Sequence, residues 1–173
     1  MIHISLRKTC TGSILDIGGG GEGIIGRLYG GQVTAIDNRA DELAEAPDTC
    51  YKLLMDATAL TFPDGSFDHV TCFYTLLYMD GDTQRRALAE AARVLRPGGS
   101  LHIWDSPVAS AYPEPFLVDL SVDIGSETVR TTYGIVKRDS QSCGSIICLC
   151  LEQDLRLTEC QETDAAFSLV FEK

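Results

Sequence analysis

Residues 14–21 read ILDIGGGG, an aliphatic run that stops in four consecutive glycines. A strand that ends this way and turns into a helix leaves unpaired amides at its tip, and the absent side chains let a ligand approach the backbone. Gly18, Gly20 and Gly23 also satisfy the G-x-G-x-x-G spacing of a nucleotide-binding turn. Alone, that spacing fits more than one nucleoside ligand. It does require a strand, a tight turn and a helix in that order.

The rest of the chain repeats this alternation. Runs rich in β-branched residues occur at Ser13 to Gly18, Gln32 to Asp37, Tyr51 to Met55, Phe67 to Phe73 and Ser100 to Asp105. They are near-continuous, as a strand covered on both faces requires. Helical segments are expected at Glu22 to Tyr29, Arg39 to Ala46 and Thr83 to Leu95. The last has Leu88, Ala91, Ala92 and Leu95 on one face, Asp82 as its cap and Pro97-Gly98-Gly99 as its stop. Residues 56–66 read as a loop. The alternation predicts a Rossmann-like α/β fold with a mostly parallel sheet and helices on both faces. Beyond Pro107, Phe116 to Ile124 and Thr128 to Val136 read as a hairpin around Gly125-Ser126-Glu127, while Gln141 to Leu151 suits a helix or a strand. Two last strands, Arg156 to Thr163 and Ala166 to Phe171, turn near Asp164. A single domain is expected over 1–173: a core at 13–105, a hairpin region at 108–136 that serves the substrate side, and the end of the sheet at 141–173.

Composition excludes some partners. A net charge of −11 repels phosphate backbones, so nucleic acid is not an expected partner. No run approaches the roughly 20 apolar residues of a membrane span, and the first residues lack a secretory pattern. Seven cysteines at irregular spacing read as reduced thiols of a cytoplasmic protein. Cys143, Cys148 and Cys150 lack a second pair or a neighbouring histidine and read as small buried side chains, so no metal is expected.

Asp16 narrows the ligand. A carboxylate two residues before the first glycine repels a diphosphate but tolerates a zwitterion carrying an ammonium and a sulfonium. Five ordered stretches then point the same way: ILDIGGGG, VTAID, MDA, FPDGSFDHV and ARVLRPGGSLHI. Together they make residues 13–105 resemble the class I S-adenosylmethionine (SAM)-dependent methyltransferases. That resemblance implies a seven-stranded sheet with a reversed last strand and SAM as the cofactor. It implies Asp16, Gly18 and Gly20 around the methionine moiety, Asp37 with Asn38 at the ribose, and Asp56 with Ala57 at the adenine, with Tyr74 beside them. Glu22 stands where the family usually has a glycine.

Methyl transfer from a sulfonium mainly requires holding donor and nucleophile in line. In open parallel sheets the ligand crevice lies beyond the carboxyl ends of the strands. Tyr74, Thr75, Tyr78, Trp104, Asp105 and Ser106 are therefore the residues expected to face substrate, Tyr74, Tyr78 and Asp105 foremost. His102 reads as a core histidine, His69 lies on the edge away from the crevice, and His3 falls in a segment expected to fray. With few residues ahead of the first strand, the site is expected to be open, or closed by the hairpin, a second subunit or another protein. A small-molecule acceptor is the expectation; a non-catalytic methyltransferase-like module and an NAD-dependent oxidoreductase are the alternatives.

Overall fold

In the computed structural model, which describes residues 1–173, two sheets share one body. The main sheet contains β2 (Ile14–Ile17), β3 (Val33–Asp37), β4 (Tyr51–Leu54), β5 (Phe67–Phe73), β6 (Leu95–Asp105), β9 (Arg156–Glu162) and β10 (Phe167–Glu172). Its order is β4-β3-β2-β5-β6-β10-β9. The first five run parallel, and β10 is antiparallel to both of its neighbours, so it alone is reversed. The expected seven-stranded sheet with a reversed last strand is present.

Both faces of that sheet are covered. Leu15 and Ile17 point into a core shared with α3 (Gly81–Val94) and α4 (Cys143–Leu151). Ile14, Val33 and Ala35 point the other way, toward Ile24, Ile25 and Leu28 of α1 (Ile24–Tyr29). A fourth helix, α2 (Ala40–Glu45), follows β3. Burial of each such aliphatic side chain contributes about 1.5–3 kcal/mol, which is why a strand like β2 carries almost no polar residue.

Two local expectations are corrected and one open choice is resolved. The cap of α3 is Asp80, which accepts from the Thr83 amide at 2.8 Å, two residues before Asp82. The helix ends at Val94, and β6 starts at Leu95, so Pro97-Gly98-Gly99 lies within strand pairing and shifts its register against β5. A Cβ on Gly99 would stand 2.7 Å from the backbone oxygen of Asp68 and 2.9 Å from that of Arg96, which is what demands glycine there. The ambiguous segment at Gln141 to Leu151 is helical because Ser142 and Ser145 cap each other reciprocally.

The hairpin forms as expected, with β7 (Phe116–Asp123) antiparallel to β8 (Thr128–Ile135). Its second partner is new. The N-terminal residues, His3 among them, do not fray: β1 (Ile2–Ser5) pairs in parallel with β7, His3 opposite Ser121, and the Leu6 amide donates to Asp123 O at 2.8 Å. The physical reason is a free strand edge on β7 next to an apolar surface. Ile2 and Ile4 pack where Val118, Leu120 and Val122 of β7 meet α1.

Candidate functional site

A cleft of about 990 Å³ opens beyond the carboxyl ends of β2 to β5, at the upper end of the size of ordinary ligand pockets. The glycine turn forms its floor. Gly18 and Gly19 amides both donate to Ile36 O, at 2.8 and 3.0 Å, and the Gly21 amide donates to Glu42 O at 2.9 Å. Gly18 sits at φ 76, and a Cβ there would lie 2.3 Å from Thr75 Oγ1; one on Gly20 would lie 2.6 Å from Glu42 Cβ and 2.9 Å from Asp37 Oδ2. The glycines thus serve first to let the turn settle onto β3, α2 and Thr75. Gly18, Gly20 and Gly21 still line the cleft.

Thr75 is placed by strain. Tyr74 at the tip of β5 holds φ 51, a left-handed conformation that a bulky residue seldom adopts. That turn sends Thr75 back under the loop, where its hydroxyl donates to Ile17 O at 2.9 Å.

Asp37 and Asp56 stand at the ends of neighbouring strands, joined by the Met55 amide donating to Asp37 O at 2.9 Å. Asp37 Oδ1 accepts from the Arg39 amide at 3.0 Å. Asp56 Oδ1 accepts from both the amide and the hydroxyl of Thr58 at 2.8 Å, which holds its carboxyl below the usual range. One oxygen of each is committed to orienting the side chain, and the other is left for a ligand. Both line the cleft, with Asn38, Ala57, Ile36 and Met55 between and beside them.

Asp16 is placed differently from its neighbours. It is 2% exposed, lies beneath the turn with Thr71 Oγ1 donating to it at 2.7 Å, and is absent from the cleft wall. Burial pushes its pKa up to about 7, against the lowering effect of the Thr71 hydrogen bond and with a further rise from Asp37. The charge argument that led to a cationic ligand therefore does not act through direct exposure of this carboxylate.

The expected acceptor-facing residues divide. Tyr74 lines the cleft with its ring, while its hydroxyl is buried and unpartnered, and burial pushes the phenol up to about 12. Tyr78 stands half-exposed at the mouth. Asp105 is not brought there. It is fully buried and accepts from the amides of Leu77 (3.2 Å) and Ser106 (2.7 Å) and from Gln141 Nε2 (3.1 Å), which makes it a bracket joining the β5 and β6 ends to the start of α4. Ser106 donates to Ala165 O at 2.8 Å, and Trp104 packs on Phe73 and His102. His102 is driven down to about 4, by burial first and by His69 second, and remains neutral at physiological pH.

The opposite wall is made by the hairpin, one of the closures expected, through Thr131, Thr132, Tyr133 and Gly134 of β8, residues that sequence reasoning did not single out. The Tyr133 ring lies 5.8 Å from Tyr74 and 6.3 Å from Tyr78, centroid to centroid. Glu22 ties this wall to the glycine turn: it accepts from the Thr131 hydroxyl and, at 3.1 Å, from the Tyr133 hydroxyl. A second tie, Arg27 to Glu127 at 3.1 Å, reaches the hairpin's other end. The only available signal was Glu22 itself, an acidic residue standing within a glycine turn. Around the cleft, Glu22, Asp37, Glu42, Glu45, Asp56 and Asp80 outnumber Arg27 and Arg39, and each arginine is already paired with a carboxylate.

A family model described as a methyltransferase domain matches residues 15–103, just over half of the chain. Over 138 residues the chain is 36% identical to the 27-O-demethylrifamycin SV methyltransferase of Amycolatopsis mediterranei, covering 73% of this chain and 49% of that protein. Over 103 residues it is 37% identical to the 2-methyl-6-phytyl-1,4-hydroquinone methyltransferase of a Synechocystis strain, covering 54% and 31%. The chain thus spans half or less of the length of these curated relatives. A solved SAM-dependent methyltransferase of Methanosarcina mazei shares the fold at a TM-score of 0.63 and 20% identity, over 93% of this chain and 92% of that one. With the strand order, the glycine turn and the paired carboxylates already in place, the matched region is decisive: the chain belongs to the methyltransferase-domain family.

Proposed function

We propose that this chain binds S-adenosylmethionine in the cleft and transfers its methyl group to a small, uncharged or cationic acceptor. The observation that carries this reading is the pair Asp37 and Asp56, each with one oxygen tied to the backbone and the other facing a cleft floored by the glycine turn. The residues suit the cofactor. Asp37 can accept from a ribose diol and Asp56 from an exocyclic amine, while Ile36, Met55 and Ala57 give an apolar slot for a base. Bound there, the cofactor supplies a methyl group already activated on a positively charged sulfur, which leaves alignment of donor and acceptor as the main demand on the protein.

The remaining work is positioning. Tyr74, Tyr78 and Tyr133 offer aromatic surface on the far side of the turn, and the hairpin supplies the wall that a second subunit would otherwise have to supply. The excess of carboxylates around the cleft disfavours an acceptor bearing phosphate or carboxylate and favours a cationic sulfonium. No helix is long and apolar enough to cross a membrane, and seven unpaired thiols fit a cytoplasmic setting.

The test is a parallel titration with S-adenosylhomocysteine and NADH. The former at a hundredfold over its Kd stabilises the fold by about 2.7 kcal/mol, and the latter leaves it unmoved. A shift with NADH alone would overturn the cofactor assignment. Tight S-adenosylhomocysteine binding with no methyl transfer to any of a broad panel of phenols and amines would establish a non-catalytic module instead.

A further inference from the structure

Away from the cleft, toward the amino end of β5, three side chains from three separate segments converge. Cys10 lies in the link between β1 and β2, His69 near the start of β5, and His102 in β6. One ligand atom from each falls within 4.8 Å of the other two. Cys10 Sγ is 3.6 Å from His102 Nε2. In a tetrahedral site with metal–sulfur and metal–nitrogen distances of about 2.3 and 2.0 Å, those two atoms stand roughly 3.5 Å apart.

A second, independent observation concerns the imidazoles. His69 Nε2 lies 3.1 Å from Thr11 O, and a carbonyl can only accept, so the proton is on Nε2. That fixes the lone pair on Nδ1, which points at Ser100 Oγ at 2.7 Å; His102 Nε2 points at the same oxygen at 2.7 Å. A backbone carbonyl receiving the outer N–H of a histidine is the arrangement that orients metal-ligating imidazoles. His102 is further held by stacking on Trp104, with centroids 5.9 Å apart and rings 18° from parallel. Cys10 is held too: its amide and that of Thr9 donate to the Tyr29 hydroxyl at 3.3 and 3.0 Å.

We propose that Cys10, His69 and His102 form a zinc-type metal site, in which the ion replaces the Ser100 hydroxyl between the two imidazoles and a water takes the fourth position, and that it pins the β1–β2 link to the main sheet. Thiolate and imidazole are the ligands that select zinc among abundant divalent ions, whereas magnesium and calcium require oxygen. Binding releases the Cys10 thiol proton to water and shifts the His102 proton to Nδ1, leaving the lone pair on Nε2. The site takes no part in methyl transfer. Its consequence is mechanical, because β1 is the edge of the small sheet whose β8 strand walls the cleft. No sequence spacing announces it, since 59 and 33 positions separate the three ligands along the chain.

Cobalt(II) and zinc(II) titrations of the apo-protein test it. The site predicts one equivalent of cobalt, tetrahedral d–d bands with a thiolate charge-transfer band, displacement of both by zinc, and a higher melting temperature with zinc. Cys10→Ser should abolish the charge-transfer band, and His69→Gln and His102→Gln should each abolish stoichiometric binding, with folding confirmed by circular dichroism. Cys143→Ser, which removes a thiol on the opposite side of the sheet, should change none of these. No binding at one equivalent, or binding that survives Cys10→Ser and is lost in Cys143→Ser, would overturn the assignment.

Discussion

The two sheets meet the cleft from opposite sides and are built to different tolerances. In the main sheet, every residue of β2 is buried, and the turn it leads into is held by three backbone hydrogen bonds and two glycine contacts that admit no Cβ. In the small sheet, β8 alternates between exposed and half-buried residues, and it reaches the turn through the side chains of Glu22 and Arg27. Under the proposed function, the contrast separates two tasks. A fixed cradle for a cofactor wants a surface whose atoms cannot move, whereas an acceptor wall held by a few polar ties can be altered without rebuilding the cradle.

The largest effect that would sharpen this contrast is Leu120→Ala. Leu120 is fully buried between the small sheet and α1, and its truncation should cost about 2–5 kcal/mol in denaturant unfolding. A cost below about 1 kcal/mol would mean that the small sheet is not part of the packed body. Next is Glu22→Gln, which removes a charged acceptor from two hydroxyl donors, worth about 1.5–3 kcal/mol per such hydrogen bond. Faster amide hydrogen exchange confined to residues 128–135 is expected, and unchanged exchange would show that the tie is idle.

A pH experiment probes the main sheet alone. Asp16 is raised to about 7 in the folded state, so between its unfolded value near 3.8 and about 7 the folded protein binds the extra proton. Stability therefore falls as pH rises through this window, at up to about 1.4 kcal/mol per pH unit for the one group. Asp105, also raised to about 7, acts in the same direction. The stability that Asp16→Asn gains over the parent should be clearly larger at pH 8 than at pH 5, as read from thermal melts; the same difference at both would refute the shift. The smallest effect is expected for Glu127→Ala, since the Arg27–Glu127 pair is part-exposed and such pairs contribute about 0.2–1 kcal/mol.

The same contrast explains what could be read from residue order. Main-sheet features are local: a buried strand, its turn and its helix occupy consecutive residues, so periodicity and glycines located β2, β3 and β5, and the tips placed Asp37 and Asp56. The small sheet is assembled from positions over a hundred residues apart, Ile2 opposite Leu120, and β1 reads as a loose end until β7 offers it an edge. Tyr133 was missed because nothing in a β-hairpin's own pattern says what lies across from it. Asp16 and Asp105 lie off the cleft wall for a reason that residue order does not carry: sequence reports the strand end a carboxylate occupies, but not whether it points into the cleft or beneath the turn.

The division of labour is tested most directly by calorimetric titration of S-adenosylhomocysteine into Asp37→Ala and Tyr133→Phe. The loss of charge-assisted hydrogen bonds in Asp37→Ala should weaken binding by about ten- to a hundredfold or more, while Tyr133→Phe, altered only on the small sheet, should bind like the parent. Unchanged affinity in Asp37→Ala, or a large loss confined to Tyr133→Phe, would contradict the assignment of the cofactor to the main sheet.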